Sequence, residues 1–132
     1  MRCNNLEKIF IVDDDHSISF FYNQILTLNG FEVTGIAEDG EAAILMFESF
    51  SDKPKVILMD YRMPKKNGIE AMKEILQMDN KVKIIFTTAD NSVKEEALSS
   101  GAFSFQNKPF TIAYIINEIN RAIESYRSSE NE

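Results

Sequence analysis

Acidic residues follow two of the short apolar runs in this sequence. Asp13, Asp14 and Asp15 come directly after the first run, and Asp60 comes directly after the third. Like charges held close together raise each other's pKa unless a cation neutralises them. Oxygen ligands on short loops suit a hard ion, and a site completed by water favours Mg²⁺ over a Ca²⁺ cage. The pattern therefore predicts a magnesium site, although Asp15 is also a residue type that caps helices.

A hydroxyl and an ammonium group follow the last two apolar runs. Thr88 comes shortly after the fourth run, with Asp90 two residues later, and Lys108 follows the fifth. A threonine at a strand end usually packs or caps, and a loop lysine is usually solvated. Beside the acids, however, these groups suit phosphoryl chemistry. A carboxylate can accept the group as a nucleophile, while a cation, a hydroxyl and a lysine neutralise its oxygens.

The apolar runs alternate with stretches of helical period. Runs of four or five β-branched and aromatic residues predict strands that are buried on both faces. The last stretch places apolar residues at positions i, i+3, i+4 and i+7, and a second stretch aligns Ile18, Phe21, Tyr22, Ile25 and Leu28 on one stripe. The predicted strands cover 9–12, 31–34, 56–59, 82–86 and 102–105, and the clearest helices cover 17–28, 39–49, 68–78 and 112–126.

Residues that typically begin and end helices agree with this division of the sequence into strands and helices. Ser92 to Glu95 reads as a capping box, and Asn67 to Glu70 resembles one with asparagine as the cap. Gly30 and Gly101 stand where helices should end.

Five consecutive β-α units predict an α/β fold with a parallel sheet and helices on both faces. Right-handed crossovers leave few arrangements, and the doubly wound order 2-1-3-4-5 is the common choice for five strands. Ligands of such sheets bind beyond the carboxyl ends of the strands, at the switch point beside strand 1. Strands 1 and 3 are then neighbours, so the acids should converge there.

Length and composition restrict the remaining possibilities. The 132 residues suit one domain over 1–132, with flexible termini at 1–7 and 127–132. The net charge of −7 disfavours nucleic-acid binding by this domain alone. The single cysteine, Cys3, can form no internal disulfide. Because no apolar run approaches membrane-spanning length and the N-terminus lacks a signal sequence, we expect a cytoplasmic protein without membrane contact.

The sequence resembles a response-regulator receiver domain, the phosphoacceptor of two-component signalling, from about Lys8 to Tyr126. The family fold is flavodoxin-like. Each motif is weak alone, but together, in order and at the right strand ends, they are specific. The motifs are Val12-Asp13-Asp14, Met59-Asp60-Tyr61-Arg62-Met63-Pro64, Asn67-Gly68, Thr88-Ala89, Gly101-Ala102 and Lys108-Pro109-Phe110.

The resemblance implies a role for each site residue. Asp60 would accept a phosphoryl group from a sensor histidine kinase or a phosphotransfer protein. Asp14 would bind Mg²⁺, or Mn²⁺ in its place, and Asp13 would hold the ion through water. Asp60 itself and the backbone carbonyl of Arg62 would complete the ligands from the protein.

Two residues on the fourth and fifth strands would then carry the signal. Thr88 would bind one phosphoryl oxygen and Lys108 another. In the family, the threonine hydroxyl moves toward the phosphoryl group, and an aromatic ring, here Phe105, enters the vacated space. Alternation along the predicted strand puts Phe103 and Phe105 on one face, so one ring could be ordinary core packing. The fourth helix, fifth strand and fifth helix would form the reporting surface.

The resemblance also implies roles for residues at the edge of the site. Arg62 and Asp90 occupy positions that tune the loss of the phosphoryl group to water, and we expect them to pair across the pocket. The Lys108–Pro109 peptide is expected to be cis. Ile18, Pro109 and Phe110 are candidates for docking the kinase.

Two other interpretations of the function remain open beside that of a phosphoacceptor. One is a receiver-like binding module that acts without phosphorylation. The other is a phosphatase with an aspartate nucleophile, which is disfavoured because Arg62 stands where such enzymes carry a second acid. We therefore expect a signalling protein and not an enzyme, one that assists only its own phosphorylation and dephosphorylation. It would act as a monomer or a phosphorylation-linked dimer on a downstream protein.

Overall fold

The structure, a computed structural model, describes residues 6–108 and 111–130. Its strands and helices alternate along the chain. In order they are β1 (Lys8–Val12), α1 (His16–Leu28), β2 (Glu32–Ala37), α2 (Gly40–Ser49), β3 (Val56–Met59), α3 (Gly68–Met78), β4 (Lys83–Thr88), a 3-10 turn (Asn91–Val93), α4 (Lys94–Ser99), β5 (Ser104–Asn107) and α5 (Ile112–Glu130).

The five strands form one parallel sheet in the order β2-β1-β3-β4-β5, which confirms the predicted doubly wound topology. Val12 of β1 lies beside Met59 of β3. Backbone pairing continues one residue further, because the Asp60 N–H donates to the Val12 carbonyl at 2.9 Å and the Asp13 N–H to the Ala37 carbonyl at 3.0 Å. The residues that follow β1 and β3 are therefore fixed side by side.

Apolar side chains cover both faces of the sheet. Phe10 and Phe86 face a core that is completed by residues of α2, α3 and α4, while Ile9 and Ile85 face a second core with residues of α1 and α5. All four side chains are fully buried. Each such burial stabilises the fold by roughly 1.5–3 kcal/mol, so the strand ends are held on a rigid frame.

Side-chain caps begin two of the helices as predicted, and one predicted cap is wrong. Asp15 caps α1 by accepting from the Ser17 N–H at 2.9 Å. Asn67 begins α3 with a complete capping box. The box expected at Ser92 is absent, since α4 begins at Lys94 without a side-chain cap. Asp90 caps the preceding 3-10 turn instead.

The predicted fifth strand is displaced by two residues. β5 spans Ser104–Asn107 rather than 102–105, because the Ala102 N–H donates to the Ala97 carbonyl at 3.0 Å and stays in the turn that ends α4. Phe103 then packs on the α1–α5 side of the sheet, whereas Phe105 packs on the side of α2, α3 and α4. The prediction that the two rings share a face was wrong.

The apolar stripe predicted on α1 is also only partly buried. Tyr22 and Ile25 lie in the core, but Phe21 and Leu28 are exposed, and Leu26 takes the inward position instead. The helix therefore turns its buried face slightly away from the predicted stripe.

The fifth helix is longer than predicted. α5 continues to Glu130, beyond the expected end at Tyr126, and Arg127 forms an ion pair with Glu7 ahead of β1. No helix in the described parts of the chain is both long enough and apolar enough to cross a membrane.

Candidate functional site

Three acidic side chains meet at the carboxyl ends of β1 and β3. Asp13, Asp14 and Asp60 can each offer a carboxylate oxygen within 4.8 Å of the others. Asp13 is buried, Asp60 is half-buried and Asp14 is exposed, so the group forms the floor and edge of an opening to solvent. Asp15 turns away to cap α1, and its N–H donates to Asp13 Oδ1 at 2.9 Å.

The acids open into a cleft with a volume of about 680 Å³. The cleft collects most of the residues that the sequence analysis selected, from four different strand ends. Its lining consists of Asp13, Asp14, Asp15, Ile18, Asp60, Arg62, Thr88, Ala89, Asp90 and Lys108.

The electrostatics of the cleft suit a divalent cation. Burial raises the pKa of Asp60 above its ordinary value, and the charges of Asp13 and Asp14 raise it further, against the opposing effects of Lys108 and the Tyr61 N–H. Crowded carboxylates of this kind are stabilised by a positive charge between them. Because the three acids supply only oxygen ligands, the group fits a hard ion such as Mg²⁺.

Lys108 already supplies part of that positive charge. Its Nζ lies 3.1 Å from Asp13 Oδ2, and Asp13 is only 1% exposed. The N–H of Lys108 donates to the Thr88 carbonyl at 3.0 Å, which ties the end of β5 to the end of β4. The ammonium group is thus held at the cleft by its own backbone as well as by its ion pair.

Thr88 brings its hydroxyl to the same strand edge. The residue is buried at the end of β4, and its Oγ1 accepts from the Asp90 N–H at 3.2 Å. The hydroxyl proton remains able to donate to an anionic oxygen in the cleft, because the Asp90 contact uses Oγ1 only as an acceptor. Thr88 and Lys108 together therefore offer two donors to an anion above the acids.

The expected pairing of Arg62 with Asp90 is present across the cleft. Arg62 Nη2 lies 2.8 Å from Asp90 Oδ2, although the arginine side chain is 76% exposed. Hydrogen bonds from the Ser92 hydroxyl and N–H, with a smaller contribution from Arg62, lower the pKa of Asp90. Asp90 therefore stays ionised and available to hold the guanidinium.

Phe105 lies behind the cleft, against the core on the side of α2, α3 and α4. Its ring stacks on Phe86, with centroids 6.4 Å apart and an angle of 14° between the ring planes. Phe86 is two residues before Thr88 on β4. The Phe105 ring is only partly buried. Because Phe86 shares β4 with Thr88 and stacks on Phe105, a movement of either residue would change the packing around Phe86.

The loop between β3 and α3 carries Arg62, and a close backbone approach shapes it. The Gly68 N–H donates to the Tyr61 carbonyl at 2.8 Å. A Cβ on Gly68 would lie 2.2 Å from the Asp60 carbonyl oxygen, so only glycine fits there. The sequence analysis used Gly68 only as part of a motif and missed this role, which the Asn-Gly pair beside a strand end could have suggested.

The residues selected for kinase docking are only partly described. Ile18 is half-buried on the first turn of α1 and lines the cleft. Pro109 and Phe110 lie outside the described residues, as does the Lys108–Pro109 peptide that was expected to be cis. The docking roles of all three residues and the cis peptide stay predictions.

Relatives with known names match most of the chain. The family model for the response regulator receiver domain matches residues 9–120. The chemotaxis protein CheY of Bacillus subtilis is 36% identical over 118 residues, which cover 88% of this chain and 97% of that protein. CheY of Thermotoga maritima is 34% identical over 117 residues, which cover 87% of this chain and 96% of that protein.

Solved structures give the same result. A CheY-like receiver domain from Methanospirillum hungatei has a TM-score of 0.87 at 25% identity, over 95% of this chain and 99% of that one. The CheX–CheY–BeF3–Mg²⁺ complex from Borrelia burgdorferi gives 0.83 at 26% identity, over 89% of each chain. By sequence and by structure, the chain belongs to the receiver-domain family of two-component response regulators.

Proposed function

We propose that the protein is a phosphorylation-controlled signalling switch whose acceptor is Asp60. A sensor histidine kinase or a phosphotransfer protein donates the phosphoryl group, and a downstream protein reads the result. The observation that carries the proposal is the convergence of Asp13, Asp14 and Asp60 in one cleft with Thr88 and Lys108. An acceptor, charge-neutralising donors and room for the transferred group are then present together.

The acceptor chemistry follows from the positions of these groups. A carboxylate oxygen of Asp60 attacks the phosphorus, and the new P–O bond forms as the P–N bond to the donor's imidazole breaks. The imidazole nitrogen keeps the bonding electron pair and takes up a proton. The Thr88 hydroxyl donates to one phosphoryl oxygen, and the Lys108 ammonium pairs with another. Lys108 lines the same cleft as Asp60, where it is paired with Asp13 at 3.1 Å.

Asp13, Asp14, Asp60 and the carbonyl oxygen of Arg62 are the groups that would hold Mg²⁺, with Mn²⁺ as the alternative. When bound, the ion supplies positive charge to the crowded acids and to the phosphoryl oxygens. The oxygen-only donor set supports this choice. It is further supported by the Borrelia burgdorferi relative, whose structure was determined as a complex with BeF3 and Mg²⁺.

The output surface is formed by α4, β5 and α5. Phosphorylation draws the Thr88 hydroxyl toward Asp60, and the Phe105 ring follows into the space that is vacated. Since Phe105 has no hydroxyl, its inward state needs no polar partner. A downstream protein then binds the altered surface, and the chain acts from the cytoplasm as a monomer or as a phosphorylation-linked dimer, without enzyme activity toward other substrates.

Intact-mass spectrometry after incubation with acetyl phosphate and Mg²⁺ tests the acceptor. We expect a gain of one phosphoryl group that is lost in Asp60→Asn and lost when EDTA removes the cation. Phosphorylation of the Asp60→Asn protein would contradict the assignment of the acceptor. No gain with acetyl phosphate or with any phosphorylated kinase would leave the chain as a binding module that acts without phosphorylation.

A further inference from the structure

The first residue of α2 touches the loop that carries Arg62. Gly40 is buried, and a Cβ on it would lie 2.2 Å from the carbonyl oxygen of Lys66 and 2.6 Å from its Cβ. Real Cβ atoms essentially never approach other atoms so closely. The backbones of α2 and of this loop therefore meet here only because residue 40 is glycine.

The loop has little freedom to absorb a displacement at Lys66. The Lys66 N–H donates to the Pro64 carbonyl at 2.8 Å, and the Gly68 N–H closes the loop onto the Tyr61 carbonyl at 2.8 Å. Lys65 between them has a φ of 71°, a left-handed conformation that a side chain rarely adopts. A shift of Lys66 would therefore be transmitted toward Arg62 instead of being absorbed locally.

We propose that Gly40 is a positioning residue for the divalent-cation site. It lets the first turn of α2 rest on Lys66, and this contact holds the β3–α3 loop in the conformation that presents the Arg62 carbonyl beside the acids. Asp39 contributes by capping the same turn, since its Oδ1 accepts from the Ala42 N–H at 2.7 Å. The inference rests on the proposed function, which makes the Arg62 carbonyl a ligand.

Gly35 provides a matched control. A Cβ on this residue of β2 would lie 2.8 Å from Cε of Met46, which is the far end of a flexible side chain. Gly35→Ala therefore adds the same methyl group at a half-buried position without pressing on the loop. A change in Mg²⁺ affinity that comes only from an added methyl group beside α2 should therefore appear in both variants, whereas a change that comes from pressing on the loop should appear only in Gly40→Ala.

The test is an Mg²⁺ titration without a phosphodonor, followed by the NMR amide signals of residues 61–63 in the folded protein. Supporting groups around metal ligands typically change affinity by one or two orders of magnitude, so we expect Gly40→Ala to bind Mg²⁺ about tenfold more weakly. Gly35→Ala should bind as the unsubstituted chain does. Equal affinity in Gly40→Ala, or equal weakening in both variants, would overturn the inference.

A second pair of variants covers the case in which Gly40→Ala does not fold. Asp39→Ala removes both the charge and the cap, while Asp39→Asn removes the charge and keeps a side-chain acceptor for the cap. Weaker Mg²⁺ binding by Asp39→Ala than by Asp39→Asn supports the inference, and equal binding contradicts it. If the unsubstituted chain bound no Mg²⁺, both the inference and the cation part of the proposed function would be wrong. If all variants bound Mg²⁺ as the unsubstituted chain does, only the positioning role of Gly40 would be wrong.

Discussion

Arg62 and Asp90 form an ion pair across the cleft that holds Asp60, with 2.8 Å between Arg62 Nη2 and Asp90 Oδ2. The two residues come from different loops, one after β3 and one after β4. Asp90 is anchored, because its Oδ1 also accepts from the Ser92 N–H at 3.0 Å. The exposed guanidinium is therefore tethered to a fixed carboxylate beside the cleft.

This tether should slow the loss of the phosphoryl group to water. In Arg62→Ala the covering side chain is gone, so water has a freer approach to phosphorylated Asp60. We expect the half-life of the phosphorylated protein to shorten several-fold, as measured by intact mass after removal of the phosphodonor. Asp90→Asn should shorten it less, since asparagine keeps an acceptor for Ser92 but holds Arg62 without a charge.

Arg121→Ala is the matched control for that experiment. Arg121 is also an exposed arginine, and it pairs with Glu118 on α5 at 2.7 Å, away from the cleft. Loss of the Arg62–Asp90 pair should hardly change stability, because the Arg62 guanidinium is exposed and such pairs are worth only about 0–1 kcal/mol. Arg121→Ala should cost more, because it leaves the buried carboxylate of Glu118 without this partner, so the half-lives are compared at a temperature at which both variants are folded. A half-life in Arg62→Ala that equals that of the Arg121→Ala protein would show that Arg62 does not shield the phosphoryl group.

Thr88 should contribute to phosphorylation through its hydroxyl and not through its volume. Thr88→Val keeps the shape but removes the donor to the phosphoryl oxygen, and it leaves the Asp90 N–H without its acceptor. Removal of one such donor from a transition state costs roughly a hundred- to a thousandfold in rate. The rate of phosphorylation by acetyl phosphate should therefore fall in Thr88→Val and recover largely in Thr88→Ser, while both variants retain Mg²⁺ binding. Slow phosphorylation in both would mean that the methyl group matters instead.

The fold and the acids of the site were predictable because they depend on local patterns. Short strands buried on both faces need continuous apolar runs, and the parallel order then brings the residues after β1 and β3 together. The register of β5 was not predictable, since the turn at Ala102 takes two residues that have strand character. Nor was the cap of the 3-10 turn, because Ser92 lies inside that turn, and its N–H and hydroxyl both donate to Asp90.

Close contacts between backbone segments were also not predictable from the sequence. The Asn67-Gly68 pair suggests a tight turn, but it does not show that Gly68 lies against Asp60, because the two are brought together by the way the loop closes. A Cβ on Gly68 would also lie 2.9 Å from the ring of Phe86, which is fully buried. Unlike an exposed turn, this position cannot relax without disturbing the backbone of Asp60, the proposed acceptor.

Gly68→Ala should therefore lower the free energy of unfolding by about 1–3 kcal/mol, the usual cost of overpacking a core. Gly30→Ala is the control, because Gly30 has a φ of 88° but nothing within 4 Å of an added Cβ. Its cost should be limited to the left-handed conformation, roughly 1–2 kcal/mol. The two differ in function: only Gly68→Ala should also slow phosphorylation of Asp60. Urea unfolding and acetyl phosphate kinetics measure both effects, and normal kinetics in Gly68→Ala would contradict the positional role.

The other end of the sheet should carry a pH dependence that is independent of the site. Burial alone would raise the pKa of Glu7, but hydrogen bonds and charges from Lys55 and Arg127 outweigh it and lower the pKa below its ordinary value of 4.5. Lys55 Nζ lies 2.8 Å from Glu7 Oε1. Through these contacts Glu7 joins the start of β1 to β3 and to the end of α5.

A carboxyl group whose pKa is lowered by folding stabilises the folded state once it is ionised in both states. The contribution of Glu7 is therefore fully present above pH 4.5 and is lost as the pH falls through the lowered pKa of the folded protein. Thermal unfolding of the unsubstituted chain and of Glu7→Gln should differ at pH 7 and converge in acid. Glu48→Gln, at an exposed glutamate of α2, should produce no such convergence. A difference for Glu7→Gln that stays constant from pH 7 into acid would show that the lost contact is not ionic.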